Sequence, residues 1–179
     1  MSVDQSDIAE IYHQYSRQVL ATLIRLLGDF ALALRELRTY RRLSGSNDQV
    51  PMMVDCERGL GRPEKALELA GEVNRSELSP SVAVELAIAR SGARVDLGNL
   101  DLALQELEIP QLNPDLAYSY SPALFDSYAT ILSLMGREDD ATRWGDLANR
   151  AAEALDPLDD DHHEDDIVVV EMPGEGEGA

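Results

Sequence analysis

The chain has 179 residues, a net charge of −19 and an apolar fraction of 44%, with few aromatic residues. This length allows one domain of ordinary size and a tail. The negative charge repels phosphate backbones, which disfavours nucleic acid as the main partner. No apolar stretch reaches the roughly 18–20 residues that span a bilayer, and the first residues lack a signal-peptide pattern. We therefore expect no membrane segment and a cytoplasmic location.

Apolar residues recur at helical spacing along most of the chain, which predicts an all-α fold. Residues 108–121 hold prolines near their edges and predict an irregular connection or a single turn. The predicted helices cover, in chain order, residues 7–27, 31–43, 50–59, 63–74, 80–96, 100–107, 122–135 and 138–155.

A short pattern recurs four times: an apolar residue, a glycine and, five residues after the glycine, an alanine. The glycines are separated by 33, 37 and 38 residues. We interpret each glycine as the tight turn between two antiparallel helices, and each alanine as the point where the second helix approaches its partner closely. The period predicts a solenoid of about four helix-turn-helix units over residues 7–155. The paired positions are Gly28 with Ala33, Gly61 with Ala66, Gly98 with Ala103, and Gly136 with Ala141.

The pattern resembles the turn and the start of the second helix in tetratricopeptide repeats, at residues 27–34, 60–67 and 97–104. The stretch from Ala33 to Ala70 also resembles an actinobacterial repeat family that has no assigned activity. The tetratricopeptide resemblance implies a groove, lined by the first helices of the units, that binds a peptide or helix of another protein. It places Asp55, Arg58 and Asp126 in that groove.

Residues 11–31 carry a second resemblance, to the opening helix of region 2 in bacterial extracytoplasmic-function sigma factors. In that family the segment contributes to binding of the core polymerase. Nothing further along the chain continues the pattern, because it has no promoter-reading aromatic and basic stretch and no DNA-reading helix-turn-helix motif near the C-terminus. The alternative function is thus a transcription-associated protein that contacts RNA polymerase through this helix.

Three arginines, Arg35, Arg38 and Arg42, share one face of the predicted helix 31–43, and Arg41 is adjacent. One interpretation is a set of solvated side chains neutralised by neighbouring carboxylates. The other is a docking surface for a carboxylate-rich segment, which guanidinium groups bind well. The protein's own acidic tail is one such segment.

The last 24 residues, 156–179, contain ten carboxylates and no Lys or Arg, so they carry −10 of the net charge. This composition predicts a disordered tail. Within it, residues 167–170 form a β-branched run that either adds as a strand to a partner's sheet or packs against the last repeat.

The sequence offers no arrangement of residues for catalysis. No nucleophile stands beside a plausible base, and Cys56 is a single cysteine without metal-ligand spacing. His13 has no partner ligand on its helix, and His162 and His163 lie in an acidic run that does not pre-form a site. We therefore predict no enzyme activity, no cofactor and no metal.

The predicted function is a non-catalytic adaptor for protein–protein interaction, whose partner is another protein.

Overall fold

The computed structural model describes residues 29–155 and the backbone of residues 169–171. This part of the chain is predominantly α-helical, which confirms the predicted helical class. The helices are α1 (Phe30–Ser44), α2 (Val50–Gly59), α3 (Pro63–Gly71), α4 (Pro80–Asp96), α5 (Leu100–Leu107), α6 (Ser121–Leu134) and α7 (Glu138–Leu155); a 3₁₀ turn covers Arg75–Glu77, and two strands are β1 (Leu116–Tyr118) and β2 (Val169–Glu171).

The chain divides into two compact units, Met1–Val73 and Asn74–Ala179. In the first unit α2 packs against both α1 and α3. In the second unit α4 packs against α5, and α6 packs against α7. The predicted turns between α2 and α3, α4 and α5, and α6 and α7 are confirmed, so the described chain contains three helical hairpins. Their assembly into one solenoid over residues 7–155 stays a prediction.

The three hairpins share one turn geometry. Gly61, Gly98 and Gly136 have φ values of 70°, 74° and 75°, in the left-handed region that costs other residues free energy. Each glycine N–H donates to the carbonyl three residues earlier at 2.8–2.9 Å. The next residue donates to the carbonyl five residues earlier at 2.9 Å. These two bonds define a Schellman motif, which satisfies the last carbonyls of the first helix.

The four alanines of the sequence pattern are all buried, at Ala33, Ala66, Ala103 and Ala141. Each alanine N–H donates to the carbonyl of the residue that precedes its helix, at 2.9–3.1 Å. They therefore occupy the same place in the first turn of α1, α3, α5 and α7. Their burial at equivalent places is what a small side chain facing a neighbouring helix would give.

The core of the first unit is made by one apolar face of each helix. Asp29 caps α1 by accepting a hydrogen bond from the Leu32 N–H at 2.9 Å. Pro63 stands at the start of α3, where a missing N–H is tolerated. The buried apolar side chains are Ala33, Leu34 and Leu37 on α1, Val50, Met53, Val54 and Cys56 on α2, and Ala66, Leu69 and Ala70 on α3.

The core of the second unit is centred on α6. Phe125 and Leu124 are fully buried there, and Trp144 of α7 packs edge-on against two rings of α6. The ring centroid of Trp144 lies 5.4 Å from that of Phe125 and 4.8 Å from that of Tyr128. This edge-to-face arrangement is favourable for aromatic pairs and holds α6 against α7.

The connection between α5 and α6 differs from the prediction of irregular structure. Leu116–Tyr118 forms β1, which pairs antiparallel with β2, so that Ala117 stands opposite Val170. The β-branched run within the acidic tail thus includes residues that pair with a strand of the same chain. The physical reason is that β-branched residues favour extended backbone, and a strand of the same chain provides hydrogen-bonding partners. The remaining tail residues lie outside the described part.

Two other predictions lie outside the described residues: the helix over 7–27 and the turn at Gly28. Between residues 29 and 155, no helix has both the length and the hydrophobicity needed to cross a bilayer.

Candidate functional site

An open groove of about 500 Å³ lies on the first unit, between α1 and α3, and α2 forms its floor. Each helix contributes one face, because the lining residues of α1 and of α3 are spaced three or four apart. Most of the lining side chains are charged. They are Arg38, Arg41 and Arg42 from α1, Met53 and Glu57 from α2, and Lys65, Glu68, Leu69 and Glu72 from α3 and its end.

The floor of the groove contains a buried carboxylate, Glu57, whose side chain is only 2% exposed. Its Oε1 accepts a hydrogen bond from Arg38 Nη2 at 2.7 Å. Its Oε2 lies 3.7 Å from Arg62 Nη1 and accepts no hydrogen bond from the described residues. A buried charge requires a partner of opposite sign, so Glu57 holds the Arg38 guanidinium at the groove.

A second arginine of α1 is held at the end of the groove. Arg41 Nη1 donates to Glu72 Oε2 at 2.8 Å, and Arg41 Nε donates to Asn47 Oδ1 at 3.0 Å. The first bond connects α1 with the end of α3. Because the Arg41 side chain is bonded on two sides, its guanidinium has little rotational freedom.

Five charged lining residues are exposed, and two of them, Arg38 and Glu72, belong to the ion pairs just described. The other three are Arg42, Lys65 and Glu68. None of these three forms an ion pair with another residue in the described part of the chain. Arg42 comes from α1, whereas Lys65 and Glu68 come from α3. The groove therefore presents two solvated cations and one solvated carboxylate beside the paired groups.

The predicted site residues lie in several different parts of the structure. Arg38 and Arg42 line the groove, together with Arg41. Arg35 does not: it donates to Glu36 Oε1 on the same helix at 3.0 Å, and its side chain is 73% exposed. Of the three arginines predicted to form a docking surface, Arg38 and Arg42 therefore lie in this groove and Arg35 lies outside it.

The predicted groove residues of α2 lie elsewhere. Asp55 and Arg58 form an ion pair with each other at 2.9 Å. They lie on a different face of α2 from the lining residues Met53 and Glu57. The sequence predicted a groove lined by the first helix of each repeat. Most of this lining comes instead from α1 and α3, which are the second helices of their repeats. Asp126 is exposed on α6 in the second unit.

Lys65, Glu68 and Glu72 were missed by sequence reasoning. Their spacing of three and four residues along α3 is a signal that a charged stripe lies on one face. That signal alone does not indicate which neighbouring helix the stripe faces. The sigma-factor-like segment cannot be placed in the same way, because its residues 11–28 lie outside the described part.

The second unit contains an arginine cluster around a single carboxylate, Glu106 of α5. Glu106 accepts hydrogen bonds from Arg75 at 2.6 Å and from Arg90 at 2.8 and 2.9 Å, and Arg94 donates at 3.3 Å. Burial alone raises the pKa of Glu106, but the hydrogen bonds and charges of Arg90 and Arg75 outweigh it. The pKa therefore lies below the ordinary value of a glutamate.

Cys56 is buried in the core of the first unit. Burial, followed by the negative charges of Asp55 and Glu57, raises the pKa of its thiol to about 11. A thiol with this pKa is a poor nucleophile at neutral pH.

Among residues 29–155, no three His, Cys, Asp or Glu side chains are placed to hold a metal ion together.

Comparison of the chain with known protein families, with curated proteins and with solved structures finds no match.

Proposed function

We propose that this protein is a non-catalytic adaptor that binds a peptide or helix of another protein in the groove of its first unit. One observation carries the proposal: the groove displays arginines whose positions are fixed before any partner arrives. Arg38 is held by the buried Glu57, and Arg41 is held by Glu72 and Asn47. A surface that is already ordered loses little conformational entropy on binding.

The dimensions of the groove support a chain segment as its ligand. It extends across three helices and is open along its length, with a volume of about 500 Å³. Met53 and Leu69 are buried beneath the charged residues, and the accessible surface of the groove is polar and apolar in nearly equal parts. Recognition would then combine ion pairs and hydrogen bonds with apolar contact.

A tetratricopeptide-like stacking of the hairpins is part of the proposal. It is supported by the three turns at Gly61, Gly98 and Gly136, which share the same hydrogen bonds, and by the equivalent places of the four buried alanines. In a stack of this kind each repeat packs on its neighbours, and a long surface becomes available to a partner.

Site-specific photo-cross-linking in a native lysate tests the proposal. A benzoylphenylalanine replaces Glu68 in the groove, and a control chain carries it at Asp101, an exposed acidic residue near the start of α5. We expect position 68 to form a discrete adduct with a protein and position 101 not to form it. Absence of adducts at position 68, or identical adducts at both positions, would contradict the proposed function.

A further inference from the structure

We infer that the segment recognised by the groove is rich in carboxylates, and that Arg42 and Lys65 bind it from the two sides of the groove. This inference rests on the proposed function and adds the chemical class of the partner. It follows from how charge is distributed along the chain and within the groove.

The basic residues are concentrated where the groove is. Residues 29–73 contain seven Lys and Arg against eight Asp and Glu, a net charge of −1. Residues 74–179 contain six against twenty-three, a net charge of −17. At physiological ionic strength charges separated by more than about 8 Å are largely screened, so the local charges of the groove decide what binds in it.

Among the described residues of the groove, two cations but only one carboxylate, Glu68, lack an ion pair. Glu57 is buried and bonded to Arg38, and Glu72 is bonded to Arg41. Among the described residues, Arg42 and Lys65 remain without an ion pair and are exposed. Cations in this situation gain most from a carboxylate that a partner supplies, and guanidinium binds carboxylate with two parallel hydrogen bonds.

Glu68 has the opposite effect on the same ligand. It is exposed beside Lys65 on α3 and forms no ion pair in the described part of the chain. Its carboxylate repels an acidic segment, so removal of its charge should strengthen binding. The inference therefore predicts changes of opposite sign for substitutions at neighbouring positions of one groove.

The test uses the full chain and a fluorescein-labelled peptide of twelve residues in which Glu and Ala alternate. Two control peptides carry Gln or Lys in place of Glu. Fluorescence anisotropy gives the affinity at 20 and 300 mM NaCl. We expect the Glu peptide to bind most tightly and its affinity to fall at the higher salt concentration.

Variants then locate the binding. Arg42→Gln and Lys65→Gln should each weaken binding of the Glu peptide about three- to tenfold, and Glu68→Gln should strengthen it about two- to threefold. Arg35→Gln is the matched control. It removes the same charge from α1, outside the groove, and should leave the affinity unchanged.

Equal binding of the three peptides, or an equal loss in Arg35→Gln and Arg42→Gln, would overturn the inference. So would tighter binding of heparin or single-stranded DNA than of the Glu peptide, since the preferred ligand would then be a different polyanion. If position 68 nevertheless cross-links to a protein, the proposed function survives and only the partner's charge class is wrong. If no adduct and no peptide binding occur, both fail.

Discussion

The ring of Phe30 lies directly over Gly59, so that a Cβ at position 59 would approach three ring carbons to 2.7 Å. Real Cβ atoms do not come this close to other carbons. Gly59 does not have a positive φ, so the absence of a side chain matters here for space and not for backbone conformation. The contact brings the start of α1 onto the end of α2.

Gly59→Ala should destabilise the first unit by about 1–3 kcal/mol, because the new methyl group must displace the Phe30 ring. Urea unfolding followed by circular dichroism measures the change. In a chain that already carries Phe30→Ala, the same substitution should cost much less, which gives a non-additive double-mutant cycle. Additive effects would mean that the ring does not oppose the methyl group.

Gly61→Ala should destabilise by about 1–2 kcal/mol, since an alanine at φ 70° is strained. Gly71→Ala is the matched control in the same hairpin. Gly71 is the last residue of α3, and no atom lies within 4 Å of the place where its Cβ would be. Thermal unfolding should show the control unchanged or up to about 1 kcal/mol more stable. Equal losses for both glycines would contradict the assigned turn.

Glu106→Gln should lower stability at pH 7 by about 2 kcal/mol, because charged hydrogen bonds to the arginines are lost. The native pKa of Glu106 is below its ordinary value, so the stabilisation is complete above that value and is lost as the pH falls through the native pKa. The variant should therefore lose less stability than the wild type in acid. Glu36→Gln breaks an exposed pair with Arg35 and should cost at most about 1 kcal/mol. A variant with the wild-type acid profile would contradict the prediction.

Cys56 should resist a thiol reagent such as iodoacetamide in the folded protein at pH 8. With a pKa of about 11, only on the order of one thiol in a thousand is ionised at that pH, and the side chain is 1% exposed. Labelling in 6 M urea should be fast. Gly59→Ala should raise the native labelling rate, because it increases the population of opened molecules. Complete labelling of the folded wild type within minutes would contradict the buried position of the thiol.

Local features of the fold were predictable because their causes are local. A left-handed glycine and the alanine of the next helix are determined within about ten residues, and helices 50–59, 100–107 and 138–155 have the predicted bounds. The helix predicted to reach residue 74 ends at Gly71. Asn74 then accepts a hydrogen bond from the Ser76 N–H and begins the 3₁₀ turn that the apolar pattern does not reveal.

Features that depend on distant residues were not predictable in the same way. Helical spacing predicts that Arg38 and Arg42 share a face of α1. The groove that they line also depends on Glu57 and on α3, and the sequence does not indicate that α3 lies across the groove from α1. The strand β1 has three residues, too few for an alternating pattern, and its partner Val170 is 53 residues away from Ala117. Nothing near β1 in the sequence indicates that pairing.

The Schellman turns have a consequence for how such a chain changes in evolution. All the backbone bonds that form a turn join atoms of the same hairpin, as in Gly61 to Arg58 and Arg62 to Glu57. Duplication or deletion of an entire hairpin would therefore leave the turn hydrogen bonds of the other hairpins unchanged. A single residue inserted between Leu60 and Gly61 would instead change the spacing of both bonds at once. Such a chain can therefore gain or lose whole hairpins, whereas a change in the length of a turn disrupts the hydrogen bonds of that turn.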